Sequence, residues 1–362
     1  MHLPKAEKNE AVTLILKIAS GSSCNMACQY CYEQKKDYQD IPYMESVIVD
    51  QILSKSQEMP LFVELHGGEP LTVGKERLVE IFQIIRKYKN VKHVSIETNG
   101  LLLSEDMYQF LSEQYPTLKY SLSLDGDFES NRYRVRRSGE NTFSSLQNTL
   151  DMLCKVNQKV GIMCAIQEAS LGREQNIIDS IAEKPCVTTI KFIPCFDYDQ
   201  SNKMYISPEQ YCDFLISAFE YWQTKAYKNV MIEPFVSIIR AIVQKKNSFC
   251  VYNNRKCVSV FTIYPNGQIC LCDEMDWKYS DLGNINQYED LSQIYQTPNY
   301  KAIIQDLNDI YSSCSYCHYR NNCRGGCLWA REKFQNIDRD KAYCQMQKKI
   351  IDHISYSLNM IV

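Results

Sequence analysis

Short apolar runs alternate with amphipathic stretches over the first 228 positions of the chain. The runs 12–18 (VTLILKI), 61–65 (LFVEL), 92–97, 118–124 (LKYSLSL), 159–166 (KVGIMCAI) and 188–194 (TTIKFIP) are rich in Val, Ile, Leu and Phe. That composition predicts strands buried on both faces. Between them, the periodicity predicts helices over 43–58, 74–88, 105–113, 143–156 and 172–183. A β-then-α order repeated six times implies a parallel sheet, and right-handed crossovers curl it into a partial (β/α)6 TIM-like barrel, an α/β fold. A further helix is predicted over 208–226. Ser207 is its N-cap, Pro208 suits the first helical position, and Gln210 completes a capping box.

Beyond residue 250 the texture changes. A hairpin is predicted at 258–272, where Pro265-Asn266-Gly267 breaks two β-rich runs. Residues 314–327 are short, polar and cysteine-dense, with too few apolar side chains to fold unaided, so bound metal is expected to supply part of their stability. The expected organisation is a core over 1–228, a linker helix over 229–249, a cysteine-rich subdomain over 250–349 and a C-terminal helix over 350–362.

Composition narrows the function. The 362 residues include 40 basic and 43 acidic side chains, a net charge of −3, which argues against a protein built to hold nucleic acid or an anionic membrane. Hydrophobic residues make up 45%, enough for a sizeable core, yet no 18-residue apolar run exists to span a membrane. The polar stretch 1–11 lacks the apolar segment of a signal peptide. Seventeen cysteines in such a chain, expected to be cytoplasmic, read as metal ligands rather than disulfides.

Cys24, Cys28 and Cys31 follow the first strand directly. Three thiolates within eight residues can ligate three irons of a [4Fe–4S] cubane. With no fourth cysteine at matching distance, one iron keeps an open position, where a substrate or cofactor binds. A structural zinc loop is the competing reading, but zinc asks for a fourth ligand. The C-x3-C-x2-C spacing resembles the signature of the radical S-adenosylmethionine (SAM) superfamily. The resemblance implies that SAM binds the open iron and is cleaved reductively to a 5′-deoxyadenosyl radical, which abstracts hydrogen from the substrate. It places Tyr30 against the adenine.

Other segments match the same family. His66-Gly67-Gly68-Glu69-Pro70 follows the second strand and resembles the family's GGE motif. Its glycines let the backbone approach a ligand closely, and Glu69 is expected to accept hydrogen bonds from the SAM amino group. Ser123 and Asp125 follow the fourth strand and alternate with apolar residues, so both point to one side. The resemblance puts them beside the SAM ribose and carboxylate. Relatives often carry His-Asp-x-x-Arg soon afterwards; here Arg134 is kept and the His-Asp pair is not. Arg134 is either a carboxylate-binding group or an exposed arginine at a helix start. All these motifs lie after strands, on the face where parallel barrels carry their active sites.

The C-terminal cysteines resemble the seven-cysteine SPASM extension of radical SAM enzymes. The resemblance implies two auxiliary [4Fe–4S] clusters, hence three in all. One would use Cys257, Cys272 and Cys327, with Cys250 as fourth ligand and Cys270 as its competitor, since Cys270 and Cys272 share a strand face. The other would use Cys314, Cys317, Cys323 and Cys344. A zinc ribbon is the alternative for such pairs. Of the remaining cysteines, Cys154, Cys164, Cys186 and Cys212 read as small apolar packing, and Cys195 ends a strand on the active face.

Length and layout resemble anaerobic sulfatase-maturating enzymes, in which an aspartate at the position of Asp273 takes a proton from the substrate. A raised pKa would suit that work; a solvated polar residue is the other reading. The expected reaction is a two-electron oxidation of a peptide or protein side chain. A maturase of ribosomal peptides, forming a thioether or carbon–carbon cross-link, is favoured. Formylglycine formation on a sulfatase, or dehydrogenation of a small molecule, is the alternative. A flavodoxin- or ferredoxin-type donor would supply electrons.

Overall fold

The computed structural model describes residues 11–36, 40–197, 203–224, 227, 229–245, 249–253, 256–276, 278–335 and 340–359. Six strands form where the apolar runs predict them: β1 (Val12–Ala19), β2 (Leu61–Gly67), β3 (Val91–Thr98), β4 (Lys119–Ser123), β5 (Val160–Ile166) and β6 (Val187–Pro194). Helices Ser46–Ser54, Lys75–Ile85, Glu105–Gln114, Phe143–Lys155 and Glu174–Ala182 connect them. Each strand pairs in parallel with the next in chain order, so the C-terminal strand ends share one rim.

The strands are not buried on both faces as expected. β2 and β5 alternate buried and more exposed positions. Leu61, Val63 and Leu65 join the apolar core, whereas the alternate positions hold Glu64 and His66. Lys17, Glu97 and Lys191 occupy the equivalent places on β1, β3 and β6, since register pairs Lys17 with His66. Charged side chains need partners or water, so this face lines a polar concave interior. The charges of Glu97 and Glu64 reach Lys191 across it.

The segment expected to be a linker helix over 229–249 contains another strand. β7 (Met231–Glu233) pairs in parallel with β6, and the helix is only Phe235–Ile242. Val230-Met231-Ile232 favours extended backbone, and Pro234 ends the ladder because it has no N–H to donate.

The predicted hairpin forms as β8 (Val260–Ile263) and β9 (Gln268–Cys270), antiparallel across the Pro265-Asn266-Gly267 turn. It does not stand apart. β8 pairs in parallel with β1, joining Thr13–Leu16 to Val260–Ile263. β10 (Asp281–Asn284) completes a ten-stranded sheet ordered β10-β9-β8-β1-β2-β3-β4-β5-β6-β7.

Helix Pro208–Thr224 carries the predicted capping box: Gln210 N donates to Ser207 Oγ at 3.2 Å and Ser207 N to Gln210 Oε1 at 2.8 Å. The last helix is Asp340–Ser357, starting ten residues before the expected 350 and so including Cys344. It packs on Pro208–Thr224, where Cys212 Sγ donates to Met346 O at 3.7 Å. One apolar cluster runs from Val12 to Ile354, so the four expected segments share a core. Cys154 and Cys186, expected as unlinked apolar packing, form a disulfide. Among the described residues no helix is long and apolar enough to cross a membrane.

Candidate active site

The loop after β1 carries Cys24, Cys28 and Cys31, all free thiols. Three neighbours fix its path. On one side it runs beside the 133–136 segment, with Ala27 N donating to Val135 O at 2.9 Å and Gln29 N to Tyr133 O at 3.1 Å. Arg137 clamps its start, Nε on Cys24 O at 2.8 Å and Nη2 on Ser22 O at 2.6 Å. On the other side lies the Gly67-Gly68 turn. A Cβ on Gly68 would sit 2.3 Å from Ser20 O and 3.0 Å from the Cys24 Cβ. The close approach that these glycines were expected to offer a ligand is therefore made to the cysteine loop.

Glu69 is 0% exposed. Oε1 accepts from Leu71 N at 3.0 Å and Thr98 Oγ1 at 2.7 Å, and Oε2 from Asn99 N at 2.7 Å. These three donors tie the loop after β2 to the end of β3 and leave acceptor capacity on Oε2. Asn99 was not anticipated. Its Nδ2 lies 2.7 Å from Asn25 Oδ1 and 3.8 Å from Cys24 Sγ. The Thr98-Asn99-Gly100 turn after a strand was the available signal.

Tyr30, Asp125 and Arg134 form one buried cluster. The Tyr30 hydroxyl donates to Asp125 Oδ2, and Arg134 Nη1 donates to that hydroxyl at 2.8 Å. Asp125 Oδ1 also accepts from Ala165 N at 3.0 Å. Arg134 is 8% exposed, which rules out the exposed helix-start reading. Ser123, two residues before Asp125, is half-buried at the end of β4. Cys195 follows β6, its amide on Ile166 O at 2.8 Å.

Burial pushes the Cys24 thiol up to about 12 and raises Cys28 as well. Thiolates there need nearby positive charge, which a metal cluster provides. The triad offers three free thiols in one loop. A structural zinc asks for a fourth ligand, whereas a cubane holds each sulfur on a different iron.

The auxiliary cysteines fall into two groups. Cys250, Cys257 and Cys272 are close enough that the charges of the first two raise the Cys272 thiol, after burial and Asp273. Cys270 is buried, whereas Cys257 and Cys272 are half-buried and Cys250 is exposed. The strand ends at Cys270, and Leu271 N turns to Ser280 O at 3.3 Å. Cys270 packs with Tyr264, 0% exposed. Cys327 opens helix Leu328–Gln335, its amide donating to the Tyr343 hydroxyl at 2.7 Å. Cys314, Cys317, Cys323 and Cys344 together line one small cavity of ≈ 30 Å³. It is bounded by a left-handed turn in which a Cβ on Gly326 (φ +68°) would meet the Tyr343 hydroxyl at 2.6 Å.

Asp273 does not have the raised pKa expected of it. Burial alone would raise it, but Lys17, His66 and Lys36 hold it well below the usual carboxylate range. Its Oδ2 accepts from Lys17 Nζ at 2.9 Å and the Tyr32 hydroxyl at 2.8 Å. Lys17 is 0% exposed and also lies 3.1 Å from Glu33 Oε1. His66 Nδ1 lies 2.6 Å from Gly67 N and 3.1 Å from Lys17 Nζ; against burial and Lys17, Glu97 raises the imidazole to about 8. Nε2–H donates to Glu97 at 3.1 Å. Glu64, raised to about 8 by burial and Glu97, donates its proton to the same carboxylate.

Residues 18–172 match the family model of the radical SAM superfamily, and residues 250–318 match that of the SPASM iron-sulfur cluster-binding domain. A cysteine-type anaerobic sulfatase-maturating enzyme of Clostridium perfringens is 28% identical, covering 94% of this chain and 96% of the relative. A serine-type counterpart of Bacteroides thetaiotaomicron is 23% identical over 85% of this chain and 80% of its own. Among solved structures, "native anSMEcpe with bound AdoMet and Cp18Cys peptide" superposes with a TM-score of 0.83 at 24% identity, covering 96% of this chain and 97% of that one. Streptococcus suis SuiB bound to precursor peptide SuiA superposes at 0.64, with 18% identity over 90% and 74%. These likenesses show the fold.

Proposed function

We propose that this chain, whose residues 18–172 and 250–318 match the radical SAM and SPASM models, oxidises a cysteine or serine side chain of a sulfatase-type protein substrate to formylglycine. The observation that carries this reading is the likeness to sulfatase-maturating enzymes along 94% of the chain. Both peptide-directed readings of the sequence share the same radical chemistry, and the full-length relatives favour the second. SAM bound at a cluster on Cys24, Cys28 and Cys31 would supply the 5′-deoxyadenosyl radical, with the auxiliary clusters accepting the second electron.

The chain's own residues prepare the site. Cys250, Cys257, Cys272 and Cys327 would hold one auxiliary cluster, and Cys314, Cys317, Cys323 and Cys344 the other. Asn99 and Arg137 keep the triad loop in register. Gly67 and Gly68 admit it, and Glu69 fixes their turn. Tyr30, Asp125 and Arg134 form a polar wall beside the loop, on the side where Ser123 ends β4, and we assign this wall to SAM. Lys17 and Tyr32 hold Asp273 ionised beside Cys272; a carboxylate held so far below its usual range is a poor acceptor for a thiol or hydroxyl proton, so its place in this reading is to fix Lys17 and Tyr32. A one-electron carrier of the flavodoxin or ferredoxin class would serve the clusters, in a reducing compartment such as the cytoplasm.

The test is anaerobic incubation of reconstituted, reduced enzyme with SAM and peptides carrying a central cysteine or serine. We expect 5′-deoxyadenosine and an aldehyde that a hydrazine reagent traps. Deoxyadenosine with no aldehyde, but an intramolecular cross-link in a cysteine-bearing precursor, would return the ribosomal-peptide reading.

A further inference from the structure

Arg331 is a buried arginine, 3% exposed, in helix Leu328–Gln335. Its guanidinium is fully committed. Nη1 donates to Cys314 Sγ at 3.1 Å and Nη2 to Ser313 Oγ at 3.0 Å. Nε and Nη2 grip Asp340 at 2.7 and 3.1 Å. Cys314 is one of the four cysteines that line the cavity described above, and the other charged residues lining it are Arg320 and Lys348. The inner cysteine set is different. There Asp273 Oδ1 lies 3.9 Å from Cys272 Sγ, and Glu274 adds a second carboxylate to the surroundings of Cys272. A charged guanidinium donates to a cysteine sulfur in one set; in the other the donor is a neutral amide, Ala330 N on Cys327 Sγ at 3.5 Å, and carboxylates stand beside Cys272.

Reduction adds negative charge to an iron–sulfur cluster. A donor and a positive charge at a ligand sulfur stabilise the reduced form and raise the potential, while a neighbouring carboxylate lowers it. We infer that Arg331 is a positioning residue that raises the reduction potential of the outer set (Cys314, Cys317, Cys323, Cys344) above that of the inner set (Cys250, Cys257, Cys272, Cys327). Electrons reaching the Cys272 set would thereby pass on to the Cys314 set. With clusters bound, one electron would leave the inner set and one would enter the outer set, with no proton moving. A one-electron carrier protein of the flavodoxin or ferredoxin class removes it at the surface. Asp340 aims the guanidinium and partly offsets its charge. The inference rests on the reading of both sets as cluster sites.

The experiment uses the full chain with Cys24, Cys28 and Cys31 replaced by alanine, so that only auxiliary clusters titrate. An anaerobic redox titration is followed by electron paramagnetic resonance, with iron measured per chain. About eight irons and two reductive waves are expected. A count near four fails the cluster reading itself, not the role of Arg331. In that background Arg331→Gln should move the higher wave to lower potential. Asp340→Asn, which removes the offsetting carboxylate, should move it to higher potential, and the other wave should stay in place. Opposite shifts from two members of one bridge are not expected of a merely structural contact. Waves that stay put in both variants overturn the inference, and so does iron shed from either variant.

Discussion

A buried charge in this barrel is set by its neighbours rather than by its own chemistry. Asp273 and Glu64 are both carboxylic acids facing the same interior. Two lysines and a histidine surround Asp273 and keep it ionised. Glu64 meets Glu97, and two carboxylates this close share one proton. Glu64 thus holds its proton up to about pH 8 in the folded chain, while an unfolded chain releases it near ~4.3. Between those values the native state binds the extra proton, so stability falls as pH rises, by up to about 1.4 kcal/mol per unit. Glu64→Gln keeps a donor to Glu97 and cannot ionise. Its denaturant stability should change less between about pH 5 and 8 than that of the unaltered chain; an equal slope would show that Glu64 is not the titrating group. The position of Asp273 was readable from its place after Cys272. The direction of its pKa was not, because Lys17 lies 256 residues away.

At the scale of elements, the cysteine loop is shaped by turns that hold no metal ligand. The triad spacing is a local property and was legible at once. Its support comes from Gly68 after β2, Asn99 after β3 and Arg137 after β4. Gly67 and Gly68 were noticed in the sequence, but as a surface for a ligand. Gly68→Ala places a methyl 2.3 Å from Ser20 O, and backbone on both sides must give. We expect iron to fall from about twelve to about eight per chain, with 5′-deoxyadenosine release lost and both auxiliary signals kept. Iron staying near twelve with SAM cleavage intact would falsify the idea that this contact shapes the loop.

For the whole molecule, the cysteine-rich half is part of the barrel sheet. β8 covers the edge of β1, where Phe261 and Ile263 are 0% exposed. A chain ending at residue 249 would leave Thr13–Leu16 as an uncovered strand edge, which favours association between chains. It should elute as aggregates in size-exclusion chromatography, and a folded monomer would argue that the halves are separable. Local spacing, composition and period determined the six β/α units and the capped helix Pro208–Thr224, and marked the radical SAM and SPASM segments, since each depends on residues near in sequence. Tertiary structure alone decided what depends on distant neighbours. It joined β8 to β1, packed Cys270 against Tyr264, buried Arg134 against Tyr30, and closed Lys17 over Asp273. Burial and charge pairing act between chain segments far apart in sequence, so no local pattern records them.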